Sequence, residues 1–307
     1  MDWPDQKSFA FTIVDDTDKS TIENVKPVYD LLAELSIKTT KTVWPKAPKQ
    51  KGLFGGMTCE DEEYLKWLYN LKDEGFEIAF HGVTDHTSSR EDTIQAIEFF
   101  CKLFGNEQFL YCAHAGQDES MYWGKYRLDG MRRIIYQIAT SFIRHDEFSG
   151  HIENSQLFWG DLCQKHIRYM RNFVYRDINT LKICPEMPYH DQSRPYVNYW
   201  FASSEGNNVH SFCKLISPKN QDSLEREHGL CIVYTHFAND FVINGKIDSD
   251  FIRLIKLLSE RSGWFAPAST ILEYLRGQPT WVRDIRSNRL RAMEWKWLIN
   301  KLLNGSS

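Results

Sequence analysis

Over roughly its first 120 residues the chain alternates two hydrophobic periods, and this limits the fold more than any other feature. "FAFTIV" is an apolar run of strand length. "DKSTIENVKPVYDLLAELSI" then spaces Ile22, Val25, Val28, Leu31, Leu32 and Leu35 as one helix face, with Ser20 or Thr21 as its cap. "KTTKTVW", "FEIAFHG" and "QFLYCAHAG" read as further strands. Between them lie two helices, one ending at Gly75 and one opened by Ser and closed by Gly105. Repeated βα units of this kind predict a parallel sheet or barrel.

The later chain continues less regularly. "GMRRIIYQIATSF" and "SDFIRLIKLLSERSG" read as helices, "FVYRDINTLKICP", "YVNYWFASSEG" and "GLCIVYTHFA" as strands, and "SFCKLIS" as a weaker strand. "WFAPASTILEYLRG" reads as a short strand entering a capped helix. No repeat or flexible linker divides residues 1–278, which we read as one unit. Residues 279–307 differ, because "PTWVRDIRSNRLRAMEWKWLINKLL" interleaves Arg and Lys with Trp and Leu. That is a basic amphipathic helix, suited to an anionic membrane surface, to the barrel, or to a second subunit.

A net charge of -4 gives no indication of a nucleic-acid partner. The seven cysteines contain no CxxC pair, and the N-terminus has no basic stretch leading into an apolar one. Both point to reduced thiols and a cytoplasmic location.

Parallel strands gather their C-terminal ends on one face, where catalytic residues collect. Here "FTIV" ends in Asp15 and Asp16, "EIAF" in His81, "FLYCA" in His114 and "CIVYT" in His236. Imidazoles and a carboxylate bind Zn²⁺ or a similar divalent ion with one position open for water. A second carboxylate can then act as general base and a distant His as general acid. A bound cation would also relieve the repulsion between Asp15 and Asp16. Asp18 reads instead as a cap for the following helix.

These residues resemble the polysaccharide deacetylase family. "FTIVDDTD" is similar to its first motif, "GFEIAFHG" to its second, "GLCIVYTHF" to its late His motif and "GWFAPASTILEYL" to its closing strand and helix. The resemblance implies an irregular (β/α) barrel and metal-dependent removal of an N- or O-acetyl group from a sugar. It implies that Asp15 is the general base, Asp16 and His81 are metal ligands, and His236 is the general acid. The metal would be divalent, zinc foremost.

Two motifs depart from the pattern. In "HGVTDHTSSRE" the second His falls at His86, one residue late, with Asp85 in its place. The Arg-containing third motif is replaced by "YCAHAGQDESMYWG". The third ligand is therefore His114, His86 or Asp85, with His114 favoured because a strand end fixes it. Gln117, Asp118, Glu119 and Trp123 are candidates for sugar contacts. So are Glu186 and Arg194 in the rigid loop "CPEMPYHDQSR". The alternative functions are a non-catalytic carbohydrate-binding relative and a metal-dependent amide hydrolase on the same barrel. Oligomers are compatible with either.

Overall fold

Seven parallel strands close on themselves in the computed structural model, which describes residues 2–113, 116–140 and 147–304. They are β1 (Phe9–Asp15), β2 (Thr40–Val43), β3 (Glu77–Phe80), β4 (Phe109–Tyr111), β5 (Ile167–Tyr175), β6 (Tyr199–Glu205) and β7 (Leu230–Thr235). Each pairs with the next, and β1 pairs with β7 from Ala10↔Leu230 to Asp15↔Thr235. All seven residues of β1 are buried, as expected of a parallel strand covered on both faces. A two-stranded antiparallel hairpin, β8 (Val242–Ile243) and β9 (Lys246–Ile247), lies outside the barrel sheet. The last strand, β10 (Gly263–Phe265), pairs with β1 at Phe9–Phe11, whereas β2 pairs with it only at Val14 and Asp15. This is the (β/α) barrel of deacetylase type that the resemblance implies.

Helices α1 (Ile22–Glu34), α2 (Glu62–Asp73) and α3 (Arg90–Phe104) follow the first three strands. Asn24 closes a capping box by accepting the Thr21 N–H (2.8 Å). Ser89 caps α3 by accepting the Asp92 N–H, and Gly105 ends it in the left-handed region at φ 73°. The β4–β5 crossover carries α4 (Gly130–Thr140) and α5 (Gly160–His166). Then come α6 (Thr180–Ile183), α7 (Val209–Leu215), α8 (Pro218–Arg226), α9 (Ser249–Ser259), α10 (Ala268–Arg276) and α11 (Ser287–Asn304).

Three expectations need correction. "SFCKLIS" is helical, within α7, because Asn208 and Ser211 form a reciprocal cap. The end of "FVYRDINTLKICP" turns into α6, where Asn179 accepts the Lys182 N–H (3.1 Å). The C-terminal helix starts at Ser287 rather than near 279. Before it the chain runs beside His190, which donates to Arg283 O (2.7 Å) and accepts from Ile285 N (3.0 Å).

Helix α11 packs on the barrel. It buries Leu290, Met293, Trp297 and Leu298, and Tyr175 at the end of β5 donates to Met293 O (3.0 Å). The seven cysteines are free thiols. No helix of the described residues is long and apolar enough to cross a membrane.

Candidate active site

Closure of the barrel brings residues remote in sequence to one rim. Asp16 directly follows β1, and its N–H bonds Thr235 O at the end of β7 (2.8 Å). His81 follows β3, its N–H held by Val43 O (3.0 Å). Gly82 comes next at φ 94°, where a Cβ would lie 2.6 Å from the Gln117 side chain, so the close approach requires glycine. His236 follows β7, and Asp18 sits in the turn before α1.

Asp16 is gripped by Arg171, which reaches it from β5 on the far side of the barrel. The guanidinium bonds both carboxylate oxygens, at 2.9 and 2.5 Å, and both side chains are buried. A register shift in the β5–β6 pairing begins at Arg171. Such irregularities re-aim side chains. The ring of Tyr234 stacks on the guanidinium, 4.4 Å from its centroid. Burial alone would raise the Asp16 carboxyl, but the charges of Arg171 and His81 bring it below its ordinary value.

Asp18 bridges two imidazoles. Its Oδ2 lies 2.8 Å from His236 Nε2, and its Oδ1 lies 3.8 Å from His81 Nε2. His81 Nδ1 is 4.0 Å from Asp16 Oδ1. His236 Nδ1 faces Asn207 O at 3.2 Å, which fixes its proton there, so a second proton on Nε2 points at Asp18. Burial pulls the His236 pKa down, but the hydrogen bond and charge of Asp18, with the charge of Asp16, raise it overall. The neighbouring Asp18 carboxylate thus favours the imidazolium form of His236. The side chains of Asp18 and His236, 14% and 12% exposed, are the members of the cluster that reach solvent.

Asp15 faces away from this cluster. Its Oδ2 takes the Lys41 ammonium (2.8 Å) and the Tyr29 hydroxyl from α1 (3.1 Å), and its Oδ1 takes the Phe237 N–H (2.8 Å). Both charged side chains are wholly buried. The expected general-base role does not suit this position, because protein donors occupy both oxygens and solvent does not reach them. Burial raises the Asp15 carboxyl, an effect that Lys41 only partly offsets. The acidic pair thus has a cation from the chain for each carboxylate, Lys41 for Asp15 and Arg171 for Asp16.

Of the expected metal ligands, Asp16 and His81 come together, with His81 Nδ1 4.0 Å from Asp16 Oδ1, while His86 and Asp85 are engaged by backbone groups. Arg171 occupies both oxygens of Asp16. His86 accepts the Lys49 N–H at Nε2 (3.1 Å) and faces Thr87 O at Nδ1 (2.7 Å), so backbone groups hold both ring nitrogens. Asp85 Oδ2 receives the N–H groups of Phe54 (2.7 Å) and Gly55 (2.6 Å) and anchors that loop. His114 lies outside the described residues. Among the described residues no group of three His, Cys, Asp or Glu side chains is disposed to hold a metal ion. With Arg171 on Asp16 and backbone groups on His86 and Asp85, the described part of that set does not fit a resident metal.

Of the expected sugar contacts, Gln117 packs against Gly82 at the rim. Glu119 is 3% exposed, its backbone oxygen accepts Trp159 Nε1–H (2.6 Å), and burial pushes its carboxyl up to about 8. Trp123 lies under the Arg127 guanidinium at 3.5 Å. Glu186 pairs with Arg289 of α11 (2.5 Å). Arg194 is buried among Asp191, Asp129 (3.3 Å) and Glu294 (3.6 Å), and donates to Tyr126 O (3.0 Å). Arg194 and Glu186 serve the packing of the chain around α11. Gln117 donates to Thr84 O (2.5 Å), and the Asp118 N–H donates to Thr87 Oγ1 (3.1 Å).

The sequence reading missed Arg171, Lys41, Tyr234 and the part played by Asp18. A charge inside an otherwise apolar strand, as in "IRYMRNFVY", is the signal that marks Arg171.

No family model and no curated protein matches the chain. Solved structures do. One similar structure, from Mycobacterium smegmatis, is assigned as a polysaccharide deacetylase, with a TM-score of 0.52 and 13% identity over 94% of this chain and 96% of that one. The PuuE allantoinase is similar at a TM-score of 0.52 and 11% identity, over 91% and 94% of the two chains. At such identities the likeness lies in the fold. The chain has the barrel fold of the polysaccharide deacetylases.

Proposed function

We propose that the rim cluster hydrolyses an amide C–N bond, releasing acetate from an N-acetylated sugar. The observation that carries this reading is the His236–Asp18 pair, 2.8 Å apart and solvent-reaching, on the strand-end rim of a deacetylase-type barrel. Asp18 takes a proton from water as its oxygen attacks the carbonyl carbon. The imidazolium of His236 gives its Nε2 proton to the nitrogen as the C–N bond breaks, leaving acetic acid, whose proton passes to the free amine or to solvent. Proton transfer from Asp18 back to His236 across their hydrogen bond restores the starting state. The Asp16–Arg171 pair and His81 fix the polar surroundings in which charge develops, which limits reorganisation during the reaction.

The scattered free thiols support a reducing compartment, and hence a cytoplasmic sugar intermediate as substrate rather than wall polymer. The likeness to an allantoinase adds cyclic amides to the test panel. The test is acetate release from N-acetylated and O-acetylated sugars, with cyclic amides alongside. Turnover of an N-acetyl sugar that falls ~10²–10⁴-fold in Asp18→Asn and His236→Gln supports the proposal. Turnover of a cyclic amide alone would replace it with the second reading, and no turnover of any substrate would refute it.

A further inference from the structure

Helices α4 and α11 are packed together, and the surface they share is unlike the rest of the chain. Arg132 of α4 pairs with the buried Glu294 of α11, and Tyr136 stacks on Trp297 at 5.8 Å. Outward from this seam, α4 exposes Met131, Ile134 and Ile138, at the spacing of one helix face. Helix α11 exposes Trp295, Ile299, Leu302 and Leu303. Seven of the 13 exposed large apolar side chains among the described residues thus lie on two adjoining helices. Apolar exposure concentrated in this way marks an interaction surface.

Charge decides what it meets. The two helices carry Arg132, Arg133, Arg289, Arg291, Lys296 and Lys301, and their one carboxylate, Glu294, is buried. Arg132 is buried on Glu294, Arg289 pairs with Glu186 and Lys296 with Asp177, so Arg133, Arg291 and Lys301 are the cations these helices add beside the exposed apolar side chains. A two-fold dimer through this face would oppose like charges, because each copy presents the same patch. An anionic lipid surface complements both features, taking the apolar side chains into its interface and the cations against its headgroups. We infer that the paired α4–α11 face is a peripheral docking surface for anionic membranes.

Sedimentation of the full chain with phosphatidylcholine vesicles that contain phosphatidylserine, and with phosphatidylcholine vesicles alone, tests this. Binding should require phosphatidylserine and weaken as salt rises. Each cation that reaches an anionic surface contributes about fivefold. Arg291→Glu with Lys301→Glu should therefore weaken binding at least ~20-fold. Ile134→Ser with Ile138→Ser should weaken it comparably, because less apolar surface enters the interface. All four positions are at least partly exposed, and circular dichroism with an unchanged thermal midpoint verifies that the variants fold. Binding that persists in both variants would overturn the inference, as would no binding to either vesicle. So would concentration-dependent dimers that Ile134→Ser with Ile138→Ser abolishes.

Discussion

Arg171 holds Asp16 through two hydrogen bonds, at 2.9 and 2.5 Å, from the opposite side of the barrel. Removing one partner of a buried pair leaves the other charge unpaired, at a cost of about 3–5 kcal/mol. Arg171→Met should therefore lower stability by that amount in urea unfolding. Asp16→Asn with Arg171→Met should recover much of the loss. A loss in the double variant equal to the sum of the two single losses would mean that the two residues are not energetically coupled.

The same pair makes a prediction about metal. Because Arg171 occupies the Asp16 carboxylate, Asp16→Asn should leave the metal content of the purified protein unchanged. Elemental analysis of wild type and variant checks this. Stoichiometric metal in the wild type that disappears in Asp16→Asn would restore Asp16 as a ligand.

Asp15 and Lys41 form a second buried pair, 2.8 Å apart. If Asp15 holds Lys41 rather than serving as base, Asp15→Asn with Lys41→Met should cost less than about tenfold in turnover of the folded enzyme. Loss of a general base would cost ~10²–10⁴-fold. Steady-state rates normalised to folded protein distinguish the two outcomes.

His236 links stability to pH. Its folded pKa is raised above the unfolded value near ~6.5, so the folded state binds the proton more tightly. That contribution is fully present below pH ~6.5 and is lost as pH rises through the folded pKa. Urea midpoints should fall over this window in wild type and fall less in His236→Gln. A variant with the wild-type slope would assign the effect to another group.

The strand ends were legible because polar residues interrupt apolar runs there, and Asp16, His81 and His236 are where that reading puts them. The direction of Asp15 was not, since adjacent residues at a strand end turn to opposite sides and one residue of register decides which. Lys41 and Arg171 lie within strands, and only tertiary structure supplies the carboxylates that make their burial tolerable. Asp18 reads as a helix cap until closure of β1 against β7 brings His236 beside it. The short run "SFCKLIS" fits either period, and its cap at Asn208 and Ser211 was the local cue to a helix.

His236 and Asp18 carry the proton transfers of the proposed amide hydrolysis. Its most direct test is the pH dependence of acetate release from an N-acetylated sugar, for wild type and His236→Gln. A bell-shaped profile in wild type, with a basic limb that disappears along with ~10²–10⁴-fold of the rate in His236→Gln, is the result this account predicts. A variant with near wild-type rate and the same basic limb would contradict it.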